Sequence, residues 1–101
     1  MGKSKINISP SLLADFCRKH HIRRLSFFGS VLRDDFNPDS DVDVLVEFDR
    51  NATVGLIKLS RIEIELGELL GRKVDLNTAE FISKYIRNQV LAEAEDQYVA
   101  A

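Results

Sequence analysis

The sequence predicts a single α/β (α+β) domain, a small mixed β-sheet with helices packed on it. Three observations lead there. Stretches with apolar residues at every third or fourth position alternate with short runs of period two. The breaks between them are brief, so consecutive elements must lie side by side. Finally, a length of 101 residues suits one modest core, and residues 1–101 are read as one unit.

Ser9-Pro10 reads as a helix start, with Ser9 as N-cap and Pro10 at the first helical position. Leu12, Leu13, Phe16, Cys17 and His20 recur at helical spacing, which predicts a helix to about His21. Arg23 to Phe28 follows as a strand ended by Gly29. Ser30 to Ser40 is polar, with Asn37-Pro38-Asp39 as its turn signal. Asp41 to Phe48 is the clearest strand. Val42, Val44, Val46 and Phe48 fill its even positions, and Asp41, Asp43, Leu45 and Glu47 its odd ones. Thr53 is then a plausible cap for a second helix striped by Leu56, Leu59, Ile62, Leu66, Leu69 and Leu70, which Gly71 stops. Lys73 to Leu76 forms a short strand. Asn77 with Glu80 makes a start resembling a capping box, and Ile82, Tyr85, Ile86, Val90 and Ala94 mark the apolar face of a last helix. The expected order is helix, strand, loop, strand, helix, strand, helix.

Composition narrows the functional classes. Lys+Arg 14 against Asp+Glu 16 leaves a net charge of -2, with 45% hydrophobic and 30% charged residues. These values exclude a disordered tail and a strongly basic duplex binder, so general nucleic-acid binding is not expected. A single cysteine, Cys17, rules out an internal disulfide and fits a reducing compartment, where it serves as a small apolar core residue. No run approaches the roughly 18 apolar residues a membrane helix needs, which points to the cytoplasm and away from the membrane. Gly67 and Gly71 have the spacing of a membrane-helix contact in a setting too polar for one. The remaining glycines form neither GxGxxG nor a Walker A loop, so nucleotide chemistry would need another phosphate cradle.

The informative pair is Asp41 and Asp43 around Val42. Residues two apart in a strand share a face, about 6 to 7 Å apart, so the two carboxylates repel unless a cation joins them. Asp is also a poor strand former. Mg²⁺ supplies a reason for the pair, because it takes one or two carboxylates together with substrate phosphates. Alone, Asp-x-Asp more often describes a solvated strand face. Asp75 adds weight: Val74 and Leu76 alternate against it, and pairing of its strand with the Asp41 strand would let three carboxylates converge.

Upstream, the Phe27-Phe28 strand ends in Gly29-Ser30. Such a junction offers backbone N–H groups and the Ser30 hydroxyl to an anion, with Gly29 allowing close approach. Arg33 could neutralise phosphate oxygens there, and the same residues also describe an ordinary strand-to-turn junction with a solvated arginine.

Gly29-Ser30, nine intervening residues, then Ser40-Asp41-Val42-Asp43 resembles the signature of the nucleotidyltransferase superfamily related to DNA polymerase beta. The run FFGSVLRDDFNPDSDVDVLVEF is similar to the minimal nucleotidyltransferases, or MNT domains, often paired with a HEPN-domain protein as antitoxin and toxin. The resemblance implies a nucleotidyltransferase fold and transfer of AMP from ATP. Gly29, Ser30 and Ser40 would bind the nucleotide, with Arg33 assisting. Asp41 and Asp43 would hold two Mg²⁺ ions. Asp75 would ligate one of them and help activate the acceptor, a tyrosine of the HEPN toxin. Asp34 and Asp35 depart from the pattern, since many relatives carry glycine directly after the arginine.

Two rivals stand beside this reading: a non-catalytic antitoxin that covers its toxin, and an enzyme acting on a small hydroxylated molecule. The basic run Arg18, Lys19, His20, His21, Arg23 and Arg24 suits the negative end of the first helix. His20 and His21, being adjacent, do not make a two-histidine metal site. Tyr85 and Tyr98 read as core or interface residues, and oligomerisation is left open.

Overall fold

The computed structural model describes residues 8–32, 39–78, 82 and 84–100, without the side chains of 30, 31 and 86. Helix α1 spans Pro10–Lys19 and strand β1 spans Ile22–Phe28, which runs into one 3-10 turn over Gly29–Leu32. Strand β2 is Val42–Phe48, helix α2 Leu56–Leu70, strand β3 Val74–Thr78, helix α3 Lys84–Glu93 and strand β4 Glu95–Val99. The sheet runs β3-β2-β1-β4, with β2 and β3 parallel and the other pairs antiparallel. Parallel neighbours need a crossover between them, and α2 supplies it.

One sheet face carries the main core. Val42, Val44 and Val46 of β2, Leu25 and Phe27 of β1, and Val74 and Leu76 of β3 pack against Leu13, Phe16 and Cys17 of α1 and Ile62 and Leu66 of α2. Period two on the strands thus meets period 3.6 on the helices, as the apolar pattern requires. The opposite face carries the polar positions of the same strands. It is only partly covered: Leu45 of β2 is buried with Ile82, which precedes α3, and with Val90 of α3, and Phe28 packs beside them.

Several expectations need correction. Helix α1 stops at Lys19, because His20 caps it and His21 turns the chain with a φ of 58°. Ser9 is the N-cap and Pro10 opens the helix as expected, but the Ser9 hydroxyl meets Ser11 Oγ at 3.0 Å rather than a backbone N–H. Gly55, not Thr53, is the N-cap of α2, whereas Gly71 ends it as expected, with a φ of 69°. Asn77 lies in β3 rather than at a helix start, and Glu80 falls outside the described residues. Tyr85 is 87% exposed, so it is no part of an apolar face.

The largest correction is β4. The expected order closes on the helix marked by Ile82 to Ala94, with no strand after it, but Ala94 is followed by a strand over Glu95–Val99. Its Gln97 is bulged past β1, so that Leu25 faces Tyr98 while Ser26 faces Asp96. Cross-strand contacts override the weak strand propensity of Glu95-Asp96-Gln97.

Candidate active site

The open face gathers the acids. The parallel register of β2 and β3 sets Asp43 beside Asp75, just as it sets Val42 beside Val74 and Val44 beside Leu76 on the buried side. Lateral neighbours in a sheet lie about 4.8 Å apart, so these two carboxylates share one patch. Asp43 is half-buried and Asp75 exposed. Asp41 sits one residue before β2, exposed at the strand's mouth. The expected convergence of Asp41, Asp43 and Asp75 is not seen: among the described residues, no three His, Cys, Asp or Glu side chains come together as a metal-holding group.

Asp43 is also opposite Phe28 in the β1–β2 register, and Gly29 follows directly. Gly29 has a φ of 75°, and a Cβ built on it would overlap the Asp43 carboxylate, with Cγ only 3.1 Å away. The left-handed backbone favours glycine here, and any Cβ would have to push the Asp43 carboxylate aside. The Gly29–Leu32 turn begins against the acid itself. Ser30 contributes its backbone to that turn, whereas its hydroxyl and all of Arg33, Asp34 and Asp35 lie outside what the structure describes.

Ser40 and Asp41 are anchored from the α2–β3 connection. Arg72 Nη2 donates to the Ser40 carbonyl at 3.1 Å, and the Val42 N–H donates to the Lys73 carbonyl at 2.9 Å. From the other flank, Glu63 of α2 accepts the Leu76 N–H at 2.7 Å, which occupies a donor of the edge strand β3. Neither Arg72 nor Glu63 was singled out from the sequence. The only written clue to Arg72 is its place between Gly71 and the Lys73-Val74-Asp75 strand.

Farther along the same face, Arg24 grips Asp96 through two bonds of 3.0 and 2.8 Å, and the buried Ser26 hydroxyl donates to Asp96 at 2.6 Å. These bonds, the Arg24 pair foremost, hold the Asp96 carboxyl below the usual carboxylate range. They line a cavity of about 360 Å³ with Leu45, Glu47, Leu91 and Ala94. On the helical side, burial pushes the Cys17 thiol up to about 12, which keeps it protonated and inert.

An all-oxygen pair of carboxylates beside a glycine turn suits a hard divalent cation. Mg²⁺ accepts one or two protein carboxylates and completes its shell with water and phosphate oxygens, so no third side chain is required. The residues present therefore fit Mg²⁺.

A pair of acids beside a glycine turn on a mixed sheet suits a nucleotidyltransferase, and the comparisons establish that class. Residues 10–96 match the nucleotidyltransferase domain model, so the chain belongs to that family and is an enzyme of that class. It is 39% identical over 96 residues to a candidate protein adenylyltransferase, MJ0435, of Methanocaldococcus jannaschii, covering 95% of this chain and 96% of that one. A solved candidate minimal nucleotidyltransferase superposes with a TM-score of 0.69 at 35% identity, over 84% of this chain and 85% of that one. The MNT antitoxin–HEPN toxin complex of Shewanella oneidensis, its toxin tri-AMPylated, shares the fold: TM-score 0.65, 19% identity, 90% of this chain and 70% of the matched one. Among the described residues, no helix is long and apolar enough to cross a membrane.

Proposed function

We propose that this nucleotidyltransferase moves AMP from ATP to a tyrosine hydroxyl of a partner HEPN toxin and so acts as its antitoxin. The observation that carries the reading is the lateral pairing of Asp43 with Asp75 against the Gly29 turn. Support for a protein acceptor comes from the similarity to a protein adenylyltransferase along nearly the whole chain. Support for the partner comes from the likeness to an antitoxin that sits on an AMPylated toxin.

In this reading Asp41 and Asp43 hold the divalent cations, and Asp75 shares one of them. Gly29, Ser30 and Ser40 bind the triphosphate, and Arg33 neutralises it. When bound, Mg²⁺ draws charge from the phosphates and stabilises the attacking and leaving oxygens. The acceptor oxygen attacks the α-phosphorus, its proton passes towards Asp75, and pyrophosphate departs. Reliance on ATP and Mg²⁺ suits the cytoplasm.

The test is incubation with α-labelled ATP, Mg²⁺ and the protein encoded by the neighbouring gene. Label on that protein, lost with Asp43→Asn, supports transfer. Neutralisation of the toxin that survives Asp41→Asn combined with Asp43→Asn means masking without chemistry. Label confined to a small hydroxylated molecule moves the acceptor to that class.

A further inference from the structure

We infer that Arg72 is a positioning residue of the cation site, which sets Asp41 through the backbone that carries it. The inference rests on the proposed function, because it concerns the same carboxylates. Its evidence is a chain of contacts that runs from α2 to the mouth of β2.

The chain starts where α2 ends. The Arg72 N–H donates to the Gly67 carbonyl at 3.0 Å and the Gly71 N–H to the Glu68 carbonyl at 3.3 Å, which folds residues 71–73 back over the last helical turn. That fold is tight. A Cβ on Gly67 would stand 2.9 Å from the Arg72 carbonyl oxygen, so only glycine lets the returning backbone pass this closely. Arg72 is thereby seated on the end of a helix whose Ile62 and Leu66 are fully buried.

From that seat the side chain reaches 32 residues back along the sequence. Its Nη2 donates to the Ser40 carbonyl at 3.1 Å, and the next residue, Lys73, accepts the Val42 N–H at 2.9 Å. Asp41 is the residue between these two anchors. It lies outside the regular ladder, which begins at Val42, so the ladder alone does not fix its backbone. With both anchors in place, the Ser40–Val42 segment is tied to the strand that bears Asp75. The guanidinium also suits the task chemically. It stays charged and presents a rigid fork to the Ser40 carbonyl, whereas a lysine in its place offers a mobile point charge and a shorter reach.

A residue that orients a metal ligand typically governs metal affinity by 10- to 100-fold. The experiment titrates Mn²⁺ into the nucleotide-free full chain, read by water-proton relaxation, and follows Val42 amide exchange by NMR. Wild type is compared with Arg72→Met, Arg72→Lys and the distant surface variant Lys58→Met. Arg72→Met is expected to bind Mn²⁺ ~10-fold more weakly and to exchange Val42 faster, with Arg72→Lys in between and Lys58→Met unchanged. Mn²⁺ affinity in Arg72→Met equal to wild type overturns the inference. If Arg72→Met fails to fold, Arg72→Lys at an unchanged melting temperature decides it: weaker Mn²⁺ binding supports it and equal binding refutes it. Failure of the wild type itself to bind Mn²⁺ sinks the cation site of the proposed function, and the inference with it. That outcome is visible before any Arg72 variant is compared.

Discussion

Single side chains decide whether the acid face can work. Gly29 is the most constrained, since its φ of 75° disfavours a Cβ and any Cβ would push the Asp43 carboxylate aside. Gly29→Ala is expected to cost about 1–2 kcal/mol in denaturant unfolding and to lower AMP transfer more than that loss explains, because the intruding methyl displaces Asp43. Asp43→Asn keeps the shape but halves the oxygen ligands of that side chain. It is expected to reduce transfer at least ~100-fold at an unchanged melting temperature. Cys17 makes the opposite point. Fully buried and pushed up to about 12, it should ignore thiol reagents until denaturant exposes it, which a titration with and without urea checks. Much of this was legible in the sequence. Asp41, Asp43, Asp75, Gly29 and Cys17 announce themselves by residue type and local pattern. Arg72 does not, because its partner Ser40 lies 32 positions away and no local spacing encodes that contact.

The elements show where local reading ends. Strand β2 was plain because its alternation matches a sheet with one deeply buried face, and α2 because its stripe and Gly71 stop agree. Strand β4 was hidden, since Glu95-Asp96-Gln97-Tyr98-Val99 carries little strand propensity and continues a helical spacing. What holds it is tertiary: Arg24, Ser26 and the bulge that aims Asp96 at both. Asp96 therefore titrates lower in the folded chain than in the unfolded one. The unfolded chain binds a proton first as pH falls, so this stabilisation is present above about pH 4 and is lost as pH drops through the lower folded value. Asp96→Asn should melt lower than wild type at pH 7, and the gap should narrow towards pH 2. Removal of the whole side chain in Asp96→Ala orphans the buried Ser26 hydroxyl and is expected to cost about 1–3 kcal/mol. Equal thermal melts at pH 7 for wild type and Asp96→Ala would show that β4 is held by its backbone ladder alone.

At the scale of the whole molecule, the sheet separates two tasks. One face is sealed by α1 and α2 into the main core, and the other is left partly open with α3 over Leu45. Stability should follow the first face and chemistry the second. Leu66→Ala, at a fully buried site, is expected to cost about 2–5 kcal/mol in urea unfolding while leaving the residual folded protein able to bind nucleotide. The open face has a rival at the far end of the sheet, a cavity of about 470 Å³ lined by Arg23, Arg50, Asp49 and Thr78 among others. The two differ in chemistry, with paired acids at one end and, at the other, two arginines balanced by Glu47 and Asp49. Paramagnetic broadening of backbone amides by Mn²⁺ in the presence of a non-hydrolysable ATP analogue separates them directly. Loss of the Gly29, Val42, Asp43 and Asp75 signals first, with Asp49 and Arg50 intact, is the expected result. Broadening centred on Asp49 and Arg50, with the Asp43–Asp75 pair untouched, would contradict the account.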